Sequence, residues 1–333
     1  MTIAKNLLQK PRFKNQVFFE FKDIEIIIND STQAISISAQ QEYYQEIAQL
    51  LRLLQIGGLS LEQLGEFCPG IQEDIPDLLA NFDSRSLLIE TKNKAASAAM
   101  SGSQFYRELW RFLERLKLQF TSSPSSFFAK MVDGTITKNQ LIGYSLESYH
   151  VTHLCPKLLA PALAHYESNR VQKLLQEFFV SELHHDCLID KSLKSVGIKD
   201  EQIQKMQPLP STFAICSSLA MFAKQHPLSF KAALMLFEQD EPMFHEFFKK
   251  QSQTLELPED FYKPILLHAG INEDGGHEDI TGVLLAEIPY ISPSKQLLVK
   301  KNMANLMELT VLRGQEIIDY YGNQNSVIPR CFV

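Results

Sequence analysis

The spacing of apolar residues changes along the chain and predicts two regions of different structure. Near the start, short runs rich in aromatic and β-branched residues are separated by turn-forming Lys-Asp and Asn-Asp-Ser sequences. Such runs are typical of short strands, which we predict at 17–21, 24–28 and 34–38. From Tyr43 onward the apolar positions recur at helical intervals instead.

Three short helices and one strand complete the predicted first region. Helices are expected over 43–54, from Ser60 onward and over 71–82, and a returning strand over 86–90. The first should end at Gly57-Gly58, and Ser60 is a favourable N-cap for the second. We therefore predict a small α+β winged-helix domain over residues 1–92, followed by a polar linker over 93–103.

The rest of the chain, residues 104–333, is predicted to be a helical bundle, so that the protein is mainly α. Apolar stripes at helical spacing predict eight helical segments. They cover 106–120, 139–165, 170–195, 211–226, 228–238, 240–252, 260–287 and 294–321.

Composition and charge argue against several classes of function. The chain has 333 residues, 45% of them hydrophobic and 21% charged, which is typical of a folded globular protein. Its net charge of −7 and the acidic segment 71–85 argue against a nucleic-acid partner. No apolar run is long enough to cross a bilayer and the first ten residues lack a secretory signal. The five cysteines are scattered and odd in number, so we expect reduced thiols and therefore a cytoplasmic protein.

Acid–histidine pairs three residues apart are the candidate chemistry. They are Glu147 with His150, Glu182 with His185, and Asp274 with His277. Positions i and i+3 share a helix face, so each pair directs a carboxylate and an imidazole at one point. Pairs that converge inside a helical bundle would form a site suited to iron or manganese. A solvated helix face is the competing interpretation of each pair taken alone.

The first region resembles the PqqD-like winged helices that recognise leader peptides of ribosomally made natural products. The likeness lies in the three strands, the leucines before Gly57-Gly58, Leu59-Ser-Leu-Glu-Gln-Leu, and the Leu78-Leu79 helix. It implies that a leader peptide adds to the edge of the third strand, with the last helix forming a groove wall. The residues implied are Ala34, Ile35, Ser36, Ile37 and Ser38 on the strand and Ile75, Leu79 and Phe82 on the helix. A purely structural subdomain is the alternative.

The second region resembles the haem-oxygenase-like di-iron oxidases related to TenA and PqqC. The sequences that carry the likeness are Tyr144-Ser-Leu-Glu-Ser-Tyr-His-Val-Thr152, the run from Glu182 to Gly197, and His268-Ala-Gly-Ile-Asn-Glu-Asp-Gly-Gly-His277. The likeness implies a seven-helix bundle with Fe(II), two ions in the expected case, and O2 as co-substrate. The metal ligands implied are Glu147, His150, Glu182, His185, His268, Asp274 and His277.

The third of these sequences departs from the family pattern. Five residues separate His268 from Asp274 where the family has three, which turns the two side chains apart on a regular helix. Either a π-bulge or a break at the glycines restores the alignment, or His268 is not a ligand. His153 competes with His150, and Glu273 with Asp274, as the ligand in each case.

These observations predict an iron- and O2-dependent oxidase that modifies a precursor peptide bound through its leader. Two other functions stay open. One is a metal-free hydrolase of the TenA kind acting on a small heterocycle, for which Cys155 or Cys187 would be the nucleophile. The other is a non-catalytic scaffold that binds peptide. A homodimer is also left open.

Overall fold

The computed structural model describes most of the chain in two compact units. The described residues are 8–14, 16–22, 25–30, 33–38, 40, 42–91, 99–121, 126–165, 167–238, 242–274, 280–323 and 329–331. The first unit comprises Met1–Ser97 with Trp110–Arg115, and the second comprises Ala98–Leu109 with Leu116–Val333. The helix predicted over 106–120 therefore contributes to both.

The first unit contains two small antiparallel sheets. Strands β1 (Pro11–Phe13) and β5 (Leu88–Glu90) form one, and β2 (Phe18–Phe21), β3 (Glu25–Asp30) and β4 (Gln33–Ser38) form the other in the order β2-β3-β4. Ile26 opposes Ile37 and Ile28 opposes Ile35 across β3 and β4. Ile26 and Ile28 are fully buried. The three predicted strands are confirmed, whereas β1 was not predicted from the sequence.

Three helices pack with these strands: α1 (Tyr44–Ile56), α2 (Leu61–Phe67) and α3 (Ile75–Ser84). Helix α1 ends at Gly57, whose φ of 72° lies in the left-handed region that glycine adopts without strain. Ser60 caps α2 as expected, because its side chain accepts a hydrogen bond from the Gln63 backbone N–H.

The predicted groove wall on α3 is wrong. Ile75, Leu79 and Phe82 are at most 3% exposed, and the Phe82 ring packs 5.3 Å from the ring of Phe13. They form the inward face of the helix and fill the core of the first unit, because an amphipathic helix buries its apolar stripe. These three side chains cannot line a surface groove.

The second unit is built from helices, and its bounds mostly follow the prediction. They are α4 (Gly102–Thr121), α5 (Phe127–Val132), α6 (Lys138–Leu159), α7 (Asn169–Ser181), α8 (Asp186–Ser195), α9 (Asp200–Lys205), α10 (Pro210–Gln225), α11 (Pro227–Ala233), α12 (Pro242–Thr254), α13 (Glu259–Asp274), α14 (Ile280–Ala286) and α15 (Pro293–Gly322). Helices α5 and α9 were not predicted. Within the part of the chain that the structure describes, no helix is both long and apolar enough to cross a membrane.

Helix α6 lies at the centre of this unit and organises the candidate site. It packs against α8, α10 and α15, and α8 packs in turn against α13. The core between them is aliphatic and aromatic, with Leu141, Leu146, Leu193 and Phe261 almost fully buried. Polar side chains that point inward from α6, α8 and α13 are therefore removed from water.

Candidate metal centre

A break between two helices carries the first candidate ligands. The sequence predicted one helix over 170–195, and this is wrong: α7 ends at Ser181 and α8 begins at Asp186. His184 has a φ of 71°, which lies in the left-handed region and interrupts the helix. Glu182 and His185 lie in the turn, are only 5% and 8% exposed, and place Oε2 and Nδ1 3.3 Å apart. Both therefore point inward although they do not share a regular helix.

Side chains from three further elements meet this turn. The ring of His268, on α13, lies 5.2 Å from the ring of His185, centroid to centroid. The Cys155 thiol, on α6, donates a hydrogen bond of 3.6 Å to Glu182 Oε2. Glu238 follows the short 3-10 turn after α11, is 8% exposed, and its carboxylate interacts electrostatically with Glu182. We call Glu182, His185, Glu238 and His268 the Glu182 cluster.

Each member of the Glu182 cluster has a buried polar atom that lacks a hydrogen-bond partner among the described residues. These atoms are Glu182 Oε1, His185 Nδ1, Glu238 Oε2 and His268 Nε2. The 3.3 Å approach of His185 Nδ1 to Glu182 Oε2 is close enough for an ion pair but is not aligned as a hydrogen bond. Buried polar groups are normally paired, so four such atoms, on Glu182 and on residues that contact it or interact with it electrostatically, favour a ligand that would satisfy them.

The electrostatics of the Glu182 cluster follow from burial. Burial, followed by the charge of Glu182, raises the pKa of Glu238 to about 8. Burial, followed by His185, lowers the pKa of His268 to about 4. At neutral pH Glu238 is therefore mostly protonated and His268 is neutral. A cation would favour the ionised carboxylates and the neutral imidazoles that metal binding requires.

The donors of the Glu182 cluster fit an iron or manganese ion in kind. Mixed carboxylate and imidazole ligation suits these metals in helical bundles. Within the described residues, no three histidine, cysteine, aspartate or glutamate side chains are grouped as closely as a metal ion requires. His277 lies outside the described residues, and so do the side chains of Glu273 and Asp274 at the end of α13. These three predicted ligands stay predictions.

Glu147 was predicted as a ligand, and the structure gives it another role. Its carboxylate is fully buried, and both oxygens are engaged: Tyr321 Oη donates to Oε1 at 2.9 Å, and the Leu209 backbone N–H donates to Oε2 at 3.0 Å. Leu209 is the N-cap of α10, where a negative charge is stabilised by the helix dipole. Glu147 and Cys155 are eight positions apart on α6, which is a rise of about 12 Å. Both oxygens of Glu147 are thus occupied by donors of the protein itself, and its predicted convergence on Glu182 stays a prediction.

The described contacts of His150 and its competitor His153 are with residues other than the Glu182 cluster. Burial, followed by the nearby His153 and Arg313, lowers the pKa of His150 to about 4. The His153 side chain is 46% exposed, and its Nδ1 lies 2.7 Å from Asp186 Oδ2. Its ring stacks on Tyr149 with centroids 5.3 Å apart. His153 thus joins α6 to the start of α8 at the surface and does not face the other ligands.

Sequence reasoning missed Glu238 and gave Cys155 a different role. Glu238 has no histidine three residues away, so the Glu-x-x-His pattern could not select it. The available signal was an acid placed directly after the apolar run Ala232–Phe237. An acid that continues a buried apolar run is expected to be buried itself and to require a partner.

The second unit has the haem-oxygenase-like fold. A domain of unknown function with that fold from Shewanella denitrificans OS217 is 19% identical, with a TM-score of 0.57; the match covers 67% of this chain and 98% of that one. A TenA homologue from Pseudomonas syringae pv. tomato DC3000 is 12% identical, with a TM-score of 0.54; the match covers 69% of this chain and 99% of that one. At these identities the likeness shows the fold alone.

Part of the chain also matches the sequence model of a protein family. Residues 122–265 match the sequence model described as the TENA/THI-4/PQQC family. The matched range contains Cys155, Glu182, His185 and Glu238 and ends just before His268. No curated protein matches the sequence.

Proposed function

We propose that the helical unit is a non-haem iron oxidase that uses O2 and binds Fe(II) at the Glu182 cluster. The observation that carries this proposal is the set of four buried ligand atoms that have no hydrogen-bond partner among the described residues. Two carboxylates and two imidazoles suffice for one ion, and Asp274 and His277 would supply ligands for a second. A bound iron ion would supply the redox chemistry with dioxygen.

The protein's own residues would hold the ion and exclude water. Glu182 and His185 come from the turn between α7 and α8, Glu238 from the segment after α11, and His268 from α13. The ligands are thus fixed by separate elements of a packed core, which holds them in place. Their burial also strengthens each charge interaction with the ion, because little water screens it.

The substrate is proposed to be a ribosomally made precursor peptide that the first unit binds as a winged helix. β4 is the outer strand of the β2-β3-β4 sheet, and Ala34 and Ser36 on it are exposed. An outer strand offers main-chain hydrogen bonds to an added strand. Because Ile75, Leu79 and Phe82 are buried, we propose that side-chain selection falls to the partly exposed Ile35 and Ile37.

The metal-free hydrolase is less well supported. It requires Cys155 as a thiolate nucleophile, but burial, followed by the charge of Glu182, raises the pKa of that thiol far above its ordinary value. A neutral buried thiol is a poor nucleophile. Cys187 is exposed, and burial and the neighbouring Asp186 raise the pKa of its thiol as well.

An anaerobic Fe(II) titration tests the metal centre. Glu182→Gln and Glu238→Gln should each weaken Fe(II) binding by at least roughly 100-fold, the upper end of the cost of losing a group behind a ligand, because each removes a ligand itself. Glu177→Gln is the matched control, since Glu177 is exposed on α7 close to the same turn. Air exposure of the loaded wild type should consume O2. Equal Fe(II) affinity in all four proteins would refute the assignment.

Hydrogen exchange tests the peptide proposal separately. A peptide encoded beside the gene should slow exchange at every second amide of Gln33–Ser38, because only alternate N–H groups of an outer strand face outward. The other amides already bond to β3 and should not change. Uniform or absent protection of this strand would leave the first unit as a structural subdomain.

A further inference from the structure

The Cys155 thiol lies against a proposed metal ligand, and this contact gives it a role. Sγ donates to Glu182 Oε2 across 3.6 Å. Hydrogen bonds to a carboxylate are stronger than those between neutral groups. The thiol is therefore a donor whose proton is aimed at one oxygen of Glu182.

The two oxygens of Glu182 differ in their surroundings. Oε2 receives the Cys155 thiol and lies 3.3 Å from His185 Nδ1, whereas Oε1 is buried with no partner among the described residues. A carboxylate anchored through one oxygen presents the other in a fixed direction. Oε1 is then the oxygen available to a cation.

We propose that Cys155 is a positioning residue that orients Glu182 for metal binding. This rests on the proposed iron site. The turn that carries Glu182 contains a left-handed residue, His184, and joins two separate helices. Cys155 comes instead from α6, a helix of 22 residues at the centre of the unit. The thiol thus ties a strained turn to a rigid helix, as groups behind metal ligands commonly do.

Infrared spectroscopy of the metal-free protein tests the hydrogen bond. The S–H stretching band of Cys155 should lie at a lower frequency than that of a free thiol and should disappear in Cys155→Ala. In Glu182→Gln the band should shift to a higher frequency, because an amide is a weaker acceptor than a carboxylate. Cys216→Ala is the control, because Cys216 is also a buried thiol and the described residues show no hydrogen bond between it and Glu182. A Cys155 band that Glu182→Gln leaves unmoved would overturn the proposal.

Titration with Co(II), a coloured substitute for Fe(II), tests the positioning. Cys155→Ala should weaken Co(II) binding by about 10- to 100-fold, the range seen when a group behind a ligand is removed. Cys155→Ser should restore most of the affinity because its hydroxyl also donates, and Cys216→Ala should match the wild type. A serine variant no tighter than the alanine variant would contradict the role.

Two outcomes separate this proposal from the proposed function. An intense sulfur-to-cobalt absorption band would show that Cys155 is itself a thiolate ligand, which overturns its role as a proton donor. Failure of the wild type to bind Co(II) or Fe(II) would overturn both the metal centre and the positioning of Glu182 toward it. A shifted S–H band in that protein would locate the failure in the metal centre and not in the hydrogen bond.

Discussion

Two buried carboxylates, Glu147 and Glu182, show how differently the same group can be used. Both precede a histidine at i+3, and both are at most 5% exposed. Glu147 has a protein donor on each oxygen. Glu182 has one oxygen without a partner among the described residues and lies near a second acid, Glu238. Burial is common to both, so what distinguishes a site from a structural contact is the unsatisfied bonding capacity.

The difference has a physical origin in what surrounds each acid. The charge of Glu147 is balanced by the N-terminus of α10 and by a phenolic hydroxyl, so the folded protein alone satisfies it. Near Glu182 the neighbours are another carboxylate, two imidazoles and a thiol, and two acids in proximity repel each other when ionised. The first arrangement stabilises the fold by itself, whereas the proposed cation would relieve the repulsion in the second.

Glu147→Ala should produce the largest loss of stability. The change leaves the Tyr321 hydroxyl and the Leu209 N–H buried without an acceptor and opens a cavity, so we expect a loss of about 3 kcal/mol. Urea unfolding measures it. Tyr321→Phe, which removes one of the two bonds, should lose about 1 kcal/mol. Unchanged stability in both variants would mean that Glu147 is not the structural anchor inferred above.

In contrast to Glu147→Ala, Glu238→Gln should raise the free energy of unfolding of the metal-free protein. The pKa of Glu238 is raised to about 8, so its contribution to stability is fully present below pH 4.5 and is lost as the pH rises toward 8. The neutral amide avoids this loss, and we expect a gain of about 4 kcal/mol at pH 8 and none near pH 4.5. Unfolding with a chelator present measures both values. A destabilised variant at pH 8 would show that Glu238 is satisfied.

The fold could be predicted from local sequence because its signals are local. The period-2 and helical patterns located β2 to β4, α1 and the long α15 to within a few residues. The break at 182–185 was missed, because Glu, Leu and His are all compatible with a helix. Only the tertiary contacts of Glu182 and His185 explain why the chain turns there.

The site residues were less predictable than the fold, because which acids remain without a partner depends on residues far away in the sequence. Tyr321 is 174 residues from Glu147, so the hydrogen bond that satisfies Glu147 has no local signature in the sequence. Glu238 belongs to no Glu-x-x-His pair, so a rule on spacing could not include it. Spacing identifies residues that can share a helix face, whereas burial without a partner identifies the residues that need a ligand.

His150 and His268 can be compared through their contributions to the pH dependence of stability. Both pKa values are lowered to about 4, with burial the main cause, so each contributes stability that is present above pH 6.5 and lost as the pH falls to 4. For His150 we expect about 3 kcal/mol, which His150→Gln should remove from the pH dependence of unfolding. Added Co(II) should leave the His150 contribution unchanged. A metal-dependent His150 contribution would place it at the cluster after all.

His184 should give the smallest effect and tests whether the turn of the Glu182 cluster is strained. Its φ of 71° is a conformation in which a side chain costs about 1 kcal/mol or more, least for glycine and most for a β-branched residue. We expect His184→Gly to raise the free energy of unfolding slightly and His184→Val to lower it by about 1 kcal/mol, with His184→Ala between them. Urea unfolding of the metal-free proteins gives the order. The reverse order, with glycine least stable, would show that the exposed imidazole holds the turn through contacts of its own.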